Sequence, residues 1–320
     1  MHYIQLGGSE LHVSRICLGG NSWGAAGRRA WSPFDADESA RFFAEAPKQG
    51  VNFFDTAEGY NSGDSERIMG ERLIAGRNRA DLVIGTKAML AASIKDDVRG
   101  HIVRTVEASL ARLGTDYVDL FSVHRLDPTL PVEDVIAGLE DVVKAGKVRT
   151  VGASTMRPTQ FARLVTLAKQ TGVLRFVAMQ NLHNLLYREE ERDMNVFCVE
   201  EQISTTPYSP LARGVLSGAR LRGNALSERA QKDSYATFYD RDSNTPIIDA
   251  VVALAAQRGV KPSQIALAWL LAKPAVGAAV IGATRIEHLA DAAQATELLL
   301  TAEEIAGLEK DYVPTSQVFS

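Results

Sequence analysis

Cysteine is nearly absent from the chain. Cys17 and Cys198 are the only two in 320 residues, which argues against a disulfide framework and against a cysteine-based metal site. Cys17 falls in an apolar run and Cys198 in a helical stretch, so both are expected to be buried thiols. Long apolar runs are missing too, and none approaches the ~20 residues that span a bilayer. The first residues, Met1-His2-Tyr3-Ile4-Gln5, lack the basic region and apolar core of a secretory signal, so a cytoplasmic protein without membrane contact is expected. Net charge is −4 and no block of like charges occurs, so nothing invites nucleic acid or anionic lipid. The six histidines, His2, His12, His101, His124, His183 and His288, are scattered, with no His-x-His on a strand. A metal-dependent barrel hydrolase would lack its ligands, and no metal site is expected. No Gly-x-Gly-x-x-Gly joins a strand to a helix. Gly19-Gly20 leads into a loop instead, which weighs against an open doubly wound sheet.

What is present is alternation. The composition, 46% hydrophobic and 23% charged, is that of an ordinary globular chain. Two short runs, 3–6 and 10–13, flank Gly7-Gly8 and read as an N-terminal hairpin. Apolar strands follow at 15–18, 51–55, 82–86, 117–123, 148–153, 176–179, 204–206 and 278–281. Between them the pattern predicts helices at 37–49, 65–74, 95–113 with Ser93 as cap, 132–145 and 159–170. A further helix, 189–201, opens on three carboxylates. One begins near Ile247, and others cover 287–295 and 303–310. Eight strand–helix alternations imply an α/β fold closed into a (β/α)8 TIM barrel, a single domain over residues 1–320. Two long loops, 19–34 and 211–245, are expected to border an active site.

Polar residues collect at the ends of these strands. Asp55 ends the second, Lys87 the third, His124 the fourth, Ser154 the fifth and Gln180 the sixth. Tyr60 follows Asp55 on the next loop. In a parallel barrel these ends ring one mouth. Singly, each has a bland reading: an Asp capping a turn, a solvated Lys, a structural His. Together they suit proton transfer to a carbonyl oxygen. A free Tyr has a pKa near ~10, and a neighbouring ammonium lowers it. Lys87 can supply that charge, Asp55 can hold Lys87, and His124 can donate to the same carbonyl. None of them can deliver a hydride, so a nicotinamide is implied.

The chain resembles the aldo-keto reductases over nearly its whole length. The resemblance is carried by residues 50–60 (GVNFFDTAEGY), 85–87 (GTK), 123–128 (VHRLDP), 146–152 (GKVRTVG), 208–214 (YSPLARG) and 281–285 (IGATR). It implies the barrel fold, Tyr60 as general acid, Lys87 and Asp55 as its tuning pair, and His124 as the group that positions the carbonyl of a small-molecule substrate. It also implies a cofactor site. Gly20 and Asn21 would lie beneath the reacting ring, Asp55 beside it, and Ser154 and Gln180 at the carboxamide. Tyr208 would stack on the nicotinamide, while Ser209, Leu211 and Gly214 line the pyrophosphate. Gly282 and Arg285 would meet the adenosine phosphate, His288 would lie on the helix that follows, and Asp291 would stand at the pair that reads adenine. Arg285 before a helix suits a 2′-phosphate, which favours NADPH over NADH. Thr155 stands where the family often has Asn, and His288 where Gln or Arg is common. His183 stands where Tyr is frequent, and joins Trp23, Tyr60 and His124 as a candidate for the substrate pocket. Trp31, Phe238, Tyr239 and Val318-Phe319 are further candidates to border it. Two activities stay open: a reductase that turns an aldehyde or ketone into the alcohol, and a nicotinamide-binding regulatory subunit of the potassium-channel β type with poor turnover. The substrate, the physiological direction and the oligomeric state carry no readable code.

Overall fold

The computed structural model describes residues 1–24, 35–218 and 238–317. Trp31, Val318 and Phe319 lie outside the described residues, as do parts of both long loops. Strand β1 (Tyr3–Gln5) pairs antiparallel with β2 (His12–Ser14), the expected hairpin. Eight parallel strands follow: β3 (Ile16–Gly19), β4 (Phe53–Asp55), β5 (Val83–Leu90), β6 (Val118–Leu126), β7 (Val148–Ser154), β8 (Phe176–Gln180), β9 (Ser204–Thr205) and β10 (Ala279–Ile281). They run in the order β10-β3-β4-β5-β6-β7-β8-β9. The Thr205 N–H donates to the Ala275 carbonyl at 2.7 Å, and the Val280 N–H donates to the Pro207 carbonyl at 2.9 Å. These bonds tie the β9 segment to the β10 segment and bring the sheet round into the (β/α)8 barrel.

The helices are α1 (Ala36–Glu45), α2 (Asp64–Met69), α3 (Val98–Leu113), α4 (Val132–Lys144), α5 (Pro158–Thr171), α6 (Met194–Glu200), α7 (Thr245–Arg258), α8 (Pro262–Leu271), α9 (Glu287–Ala295) and α10 (Ala302–Glu309). Three expectations need correction. Helix α3 starts at Val98 and not near residue 95, because the Asp97 carboxylate, rather than Ser93, caps it by accepting the Gly100 N–H. The helix expected over 189–201 splits into a 3-10 turn, Glu189–Glu191, and the shorter α6. Its first two carboxylates are buried, because other elements use them as acceptors. Where one helix was expected from Ile247 there are two. Gly259 ends α7 in the left-handed conformation and Pro262 opens α8. Among the described residues no helix is long and apolar enough to cross a membrane.

The barrel interior decides which end stays open. Leu6, Leu11 and Val13 of the hairpin segment pack with Cys17, Phe53, Val83, Leu120, Val177 and Val280 in one buried cluster. The hairpin therefore plugs the N-terminal end of the strands. Each such side chain contributes roughly 1.5–3 kcal/mol by leaving water. Phe54, one residue past Phe53, belongs instead to the larger cluster with Phe43 and the surrounding helices. That alternation follows from the period of two along a strand. With the bottom closed by apolar packing, the polar strand ends lie at the opposite mouth.

Candidate active site

Strand β4 stops at Asp55, and Lys87 stands on β5 two residues beyond Gly85, the register partner of Asp55. The Lys87 Nζ donates to Asp55 Oδ2 at 2.6 Å and to the Thr56 carbonyl at 2.7 Å. Gln180, at the end of β8, donates from Nε2 to Asp55 Oδ1 at 3.1 Å. The side chains of Lys87 and Asp55 are only 1% and 5% exposed. A buried ion pair persists only when hydrogen bonds satisfy its remaining atoms, and the Thr56 carbonyl and Gln180 amide do that here. Burial pulls the Lys87 pKa down, but the Asp55 charge, Tyr60 and the hydrogen bond to Asp55 outweigh it. The net shift is upward, so the ammonium stays charged at neutral pH. Behind the pair, Thr86 donates to the fully buried Glu66, which also accepts from Arg112.

Tyr60 reaches the pair through a tight turn. Its N–H bonds the Ala57 carbonyl at 3.0 Å, and the next two residues, Asn61 and Ser62, adopt φ of 50° and 59°. Asn tolerates this region better than most residues, and Asn61 Nδ2 is fixed by the Trp23 carbonyl at 2.6 Å. The Tyr60 ring thereby comes within 5.0 Å of Lys87 Nζ. The His124 ring meets it edge-on, with centroids 5.6 Å apart and planes at 85°. His124 is delivered by a β-bulge: Ala88 pairs with Val123 and Met89 with Arg125, so His124 is the extra residue on β6. Bulges of this kind re-aim a side chain beside functional sites. The structure thus gathers Asp55, Lys87, Tyr60 and His124 into one cluster. A phenol beside a held ammonium gives up its proton more readily than a free one, and an adjacent imidazole can bind the atom that receives it.

Of the residues expected to hold a dinucleotide, Gln180 and Gly20 contact this cluster directly, through Asp55. Ser154 and Gln180 end adjacent strands in register with each other and are both buried. Thr155, next to Ser154, has φ of 50°, an uncommon conformation for a β-branched residue and a mark of local strain. Its side chain bonds the Tyr208 phenol, whose pKa burial pushes well up. After Tyr208 the chain bends through positive φ at Ser209, Ala212, Arg213 and Gly214. Within this bend the Ala212 N–H donates to the Ser209 carbonyl at 2.9 Å and the Gly214 N–H to the Leu211 carbonyl at 2.8 Å. Gly20 packs so closely that an added Cβ would lie 2.7 Å from Ser65 Oγ and 2.8 Å from the Trp23 ring; half-buried Asn21 follows it. Gly282 and Arg285 are exposed before α9. The Arg285 Nε donates to His288 Nε2 at 3.2 Å. The His288 pKa is lowered, by burial first and then by that guanidinium. Asp291 is engaged by Lys261 at 2.6 Å.

Two residues expected at the substrate pocket are buried in this structure. His183 is fully buried, with Nε2 on Glu191 at 2.8 Å, Nδ1 near the Asn195 amide, and its ring edge-on to Trp269. Trp23 is 1% exposed and packs edge-on against Phe43 at 4.3 Å. His183 thus has polar partners on both ring nitrogens, while the Trp23 ring rests on Phe43. Tyr239 is buried as well, and half-buried Phe238 packs edge-on against it. Glu58, Asn61 and Glu66 were missed as candidates. Glu58 and Asn61 flank Gly59 and Tyr60 in the motif and could have been flagged by that placement alone.

Comparison with known proteins agrees with this geometry. The model described as "Aldo/keto reductase family" matches residues 15–312. The versiconal hemiacetal acetate reductase of Aspergillus parasiticus is 34% identical over 338 residues, 98% of this chain and 98% of that protein. A putative aryl-alcohol dehydrogenase of Schizosaccharomyces pombe is 35% identical over 98% of this chain and 96% of its own. Among solved structures, a thermostable aldo-keto reductase in complex with the inhibitor epalrestat superposes with a TM-score of 0.76 at 28% identity, over 97% of this chain and all of that one.

Proposed function

The chain belongs to the aldo/keto reductase family of oxidoreductases, and from that premise we propose that it reduces an aldehyde or ketone to the alcohol with NADPH. The observation that carries the reading is the buried Lys87–Asp55 pair beneath the Tyr60 ring, with His124 edge-on to the same ring. A bound reduced nicotinamide would supply the hydride that the carbonyl carbon needs. Tyr60 gives its hydroxyl proton to the carbonyl oxygen, so the C=O becomes CH–OH. Lys87 makes that proton available by stabilising the phenolate left behind. Asp55 and the Thr56 carbonyl keep the ammonium charged and directed. His124 orients the carbonyl and stabilises the charge that develops on its oxygen. Ser154, Gln180, Tyr208 and the bend at residues 209–214 would hold the cofactor. Arg285, an exposed guanidinium before α9, would favour a 2′-phosphate and so NADPH over NADH.

The substrate is a small carbonyl compound. Because relatives carry names for the reduction of a hemiacetal acetate and for aryl alcohols, an activated aromatic aldehyde is the first substrate to try. The test is oxidation of NADPH or NADH by the purified protein with that aldehyde, followed by nicotinamide absorbance. Aldehyde-dependent oxidation, faster with NADPH, is expected. Tight NADPH binding without turnover across a broad carbonyl panel would overturn the reductase reading.

A further inference from the structure

Glu58 lies between Asp55 and Tyr60 and grips β5 on both sides of Ala88. Its N–H donates to the Lys87 carbonyl at 3.0 Å, and its Oε1 accepts the Met89 N–H at 2.9 Å. In a continuing parallel ladder, that second bond would run from Met89 to the main-chain carbonyl of residue 58. Here the side chain takes the place of the carbonyl. The β4–β5 ladder is completed by a carboxylate while the main chain turns away at Ala57 to carry Tyr60 over the mouth. Met89 is also the first residue past the register shift that leaves His124 as the extra residue of β6. One half-buried carboxylate therefore touches both the turn that presents Tyr60 and the bulge that aims His124. The charged groups acting on it are His101 and Arg112 of α3 and Glu66 of α2; none of them is its hydrogen-bond partner.

We infer that Glu58 is a positioning residue that closes the β4–β5 ladder on Met89 and thereby fixes the reach of Tyr60 over Lys87 and His124. The inference rests on the carbonyl-reductase reading above. Proton delivery is steeply sensitive to geometry, and a displacement near ~1 Å costs up to about 100-fold in rate. The chemistry at position 58 separates the possibilities. Gln keeps an acceptor at the same reach without charge. Asp keeps the charge but is one methylene too short. Ala keeps neither.

The experiment compares Glu58→Ala, Glu58→Asp and Glu58→Gln with wild type and Tyr60→Phe. It reads kcat on an aromatic aldehyde, the NADPH dissociation constant, and the solvent deuterium isotope effect on kcat. Ala and Asp should each lose roughly 10- to 100-fold in kcat. Their NADPH binding should be unchanged, and their solvent isotope effect larger, because proton delivery becomes the slow step. Gln should recover most of the loss and the wild-type isotope effect. Wild-type kcat in both Ala and Asp, alongside an inactive Tyr60→Phe, would overturn the inference alone. So would a Gln variant as impaired as Asp. Equal turnover by wild type and Tyr60→Phe would sink the underlying chemistry and the role of Glu58 with it.

Discussion

Two clusters of charged side chains lie inside this molecule, and they have opposite characters. In the first, Lys87 and Asp55 are almost wholly buried, yet the Tyr60 phenol whose ring lies 5.0 Å from Lys87 Nζ stays half-exposed. In the second, charges neutralise one another inside. Glu191 accepts from His183 and Arg188, Arg188 also reaches Glu309, and Glu309 accepts from Trp269 and Lys273. Burial alone would raise the Glu191 pKa, but its hydrogen bonds to His183 and Arg188 bring it down to about 2. Burial keeps His183 below its usual value, so that ring is neutral. The C-terminal segment then seals the cluster, with the Tyr312 hydroxyl and the Thr315 N–H both donating to Glu189. Buried charge by itself therefore does not mark a reactive site. What distinguishes the first cluster is a phenol standing over its ion pair, with an imidazole edge-on to the same ring.

The comparison breaks most visibly if the buried pair is not what drives the first cluster. Lys87→Met leaves the Asp55 carboxylate buried without its cation, which should cost about 3–5 kcal/mol in unfolding free energy. It should also cost roughly 10²–10⁴-fold in kcat. Urea unfolding and coenzyme oxidation measure the two, and a stable, active variant would refute the pair's role.

The second cluster offers the next effect, in stability alone. Burial raises the Glu190 carboxyl from 4.5 to about 7, helped by Glu189 and Asp193 and opposed by Asn181. A raised acid stabilises the fold below its unfolded pKa and loses that contribution as pH climbs to its folded one. Wild-type stability should therefore fall by on the order of 3 kcal/mol between pH 4.5 and about 7. Glu190→Gln should flatten that limb in denaturant unfolding; an unchanged slope would show that Glu190 is not the titrating group.

His183→Leu sharpens the contrast further. It leaves acceptors behind and should cost about 1–3 kcal/mol of stability with kcat unaltered. A selective loss of kcat or a changed substrate profile would return His183 to the pocket. The smallest effect belongs to the exposed guanidinium. Arg285→Ala should raise the NADPH dissociation constant roughly tenfold, worth ~1.4 kcal/mol, and leave NADH almost unaffected. Titration with both coenzymes decides it, and equal weakening would remove the 2′-phosphate contact.

Asp55, Lys87 and His124 were legible because the apolar pattern of each strand stops there, and Tyr60 because it follows Asp55 on the next loop; the structure ends β4 at Asp55 but carries β5 on to Leu90 and β6 on to Leu126. The same logic placed Ser154 and Gln180 side by side. What the sequence hid is local and geometric. A bulge at His124 has no hydrophobic signature, since one extra residue in β6 leaves the apolar pattern up to Val123 intact. The clamp from Glu58 to Met89 depends on a side chain standing in for a carbonyl. Trp23 and His183 read as pocket residues because loop aromatics and a family departure draw attention, yet each found partners in the core. The 245–271 region read as one helix start because the break at Gly259 lies between two apolar stretches that packing, not periodicity, separates.

The most direct test of the central claim is the turnover of Tyr60→Phe, measured beside its NADPH dissociation constant. Removing one hydroxyl oxygen leaves the ring, the Lys87–Asp55 pair and the cofactor groups in place. The account predicts a loss of about 10²–10⁴-fold in kcat with NADPH binding unchanged. Near-wild-type turnover in this variant would contradict it, and the proton would have to come from another group at the mouth.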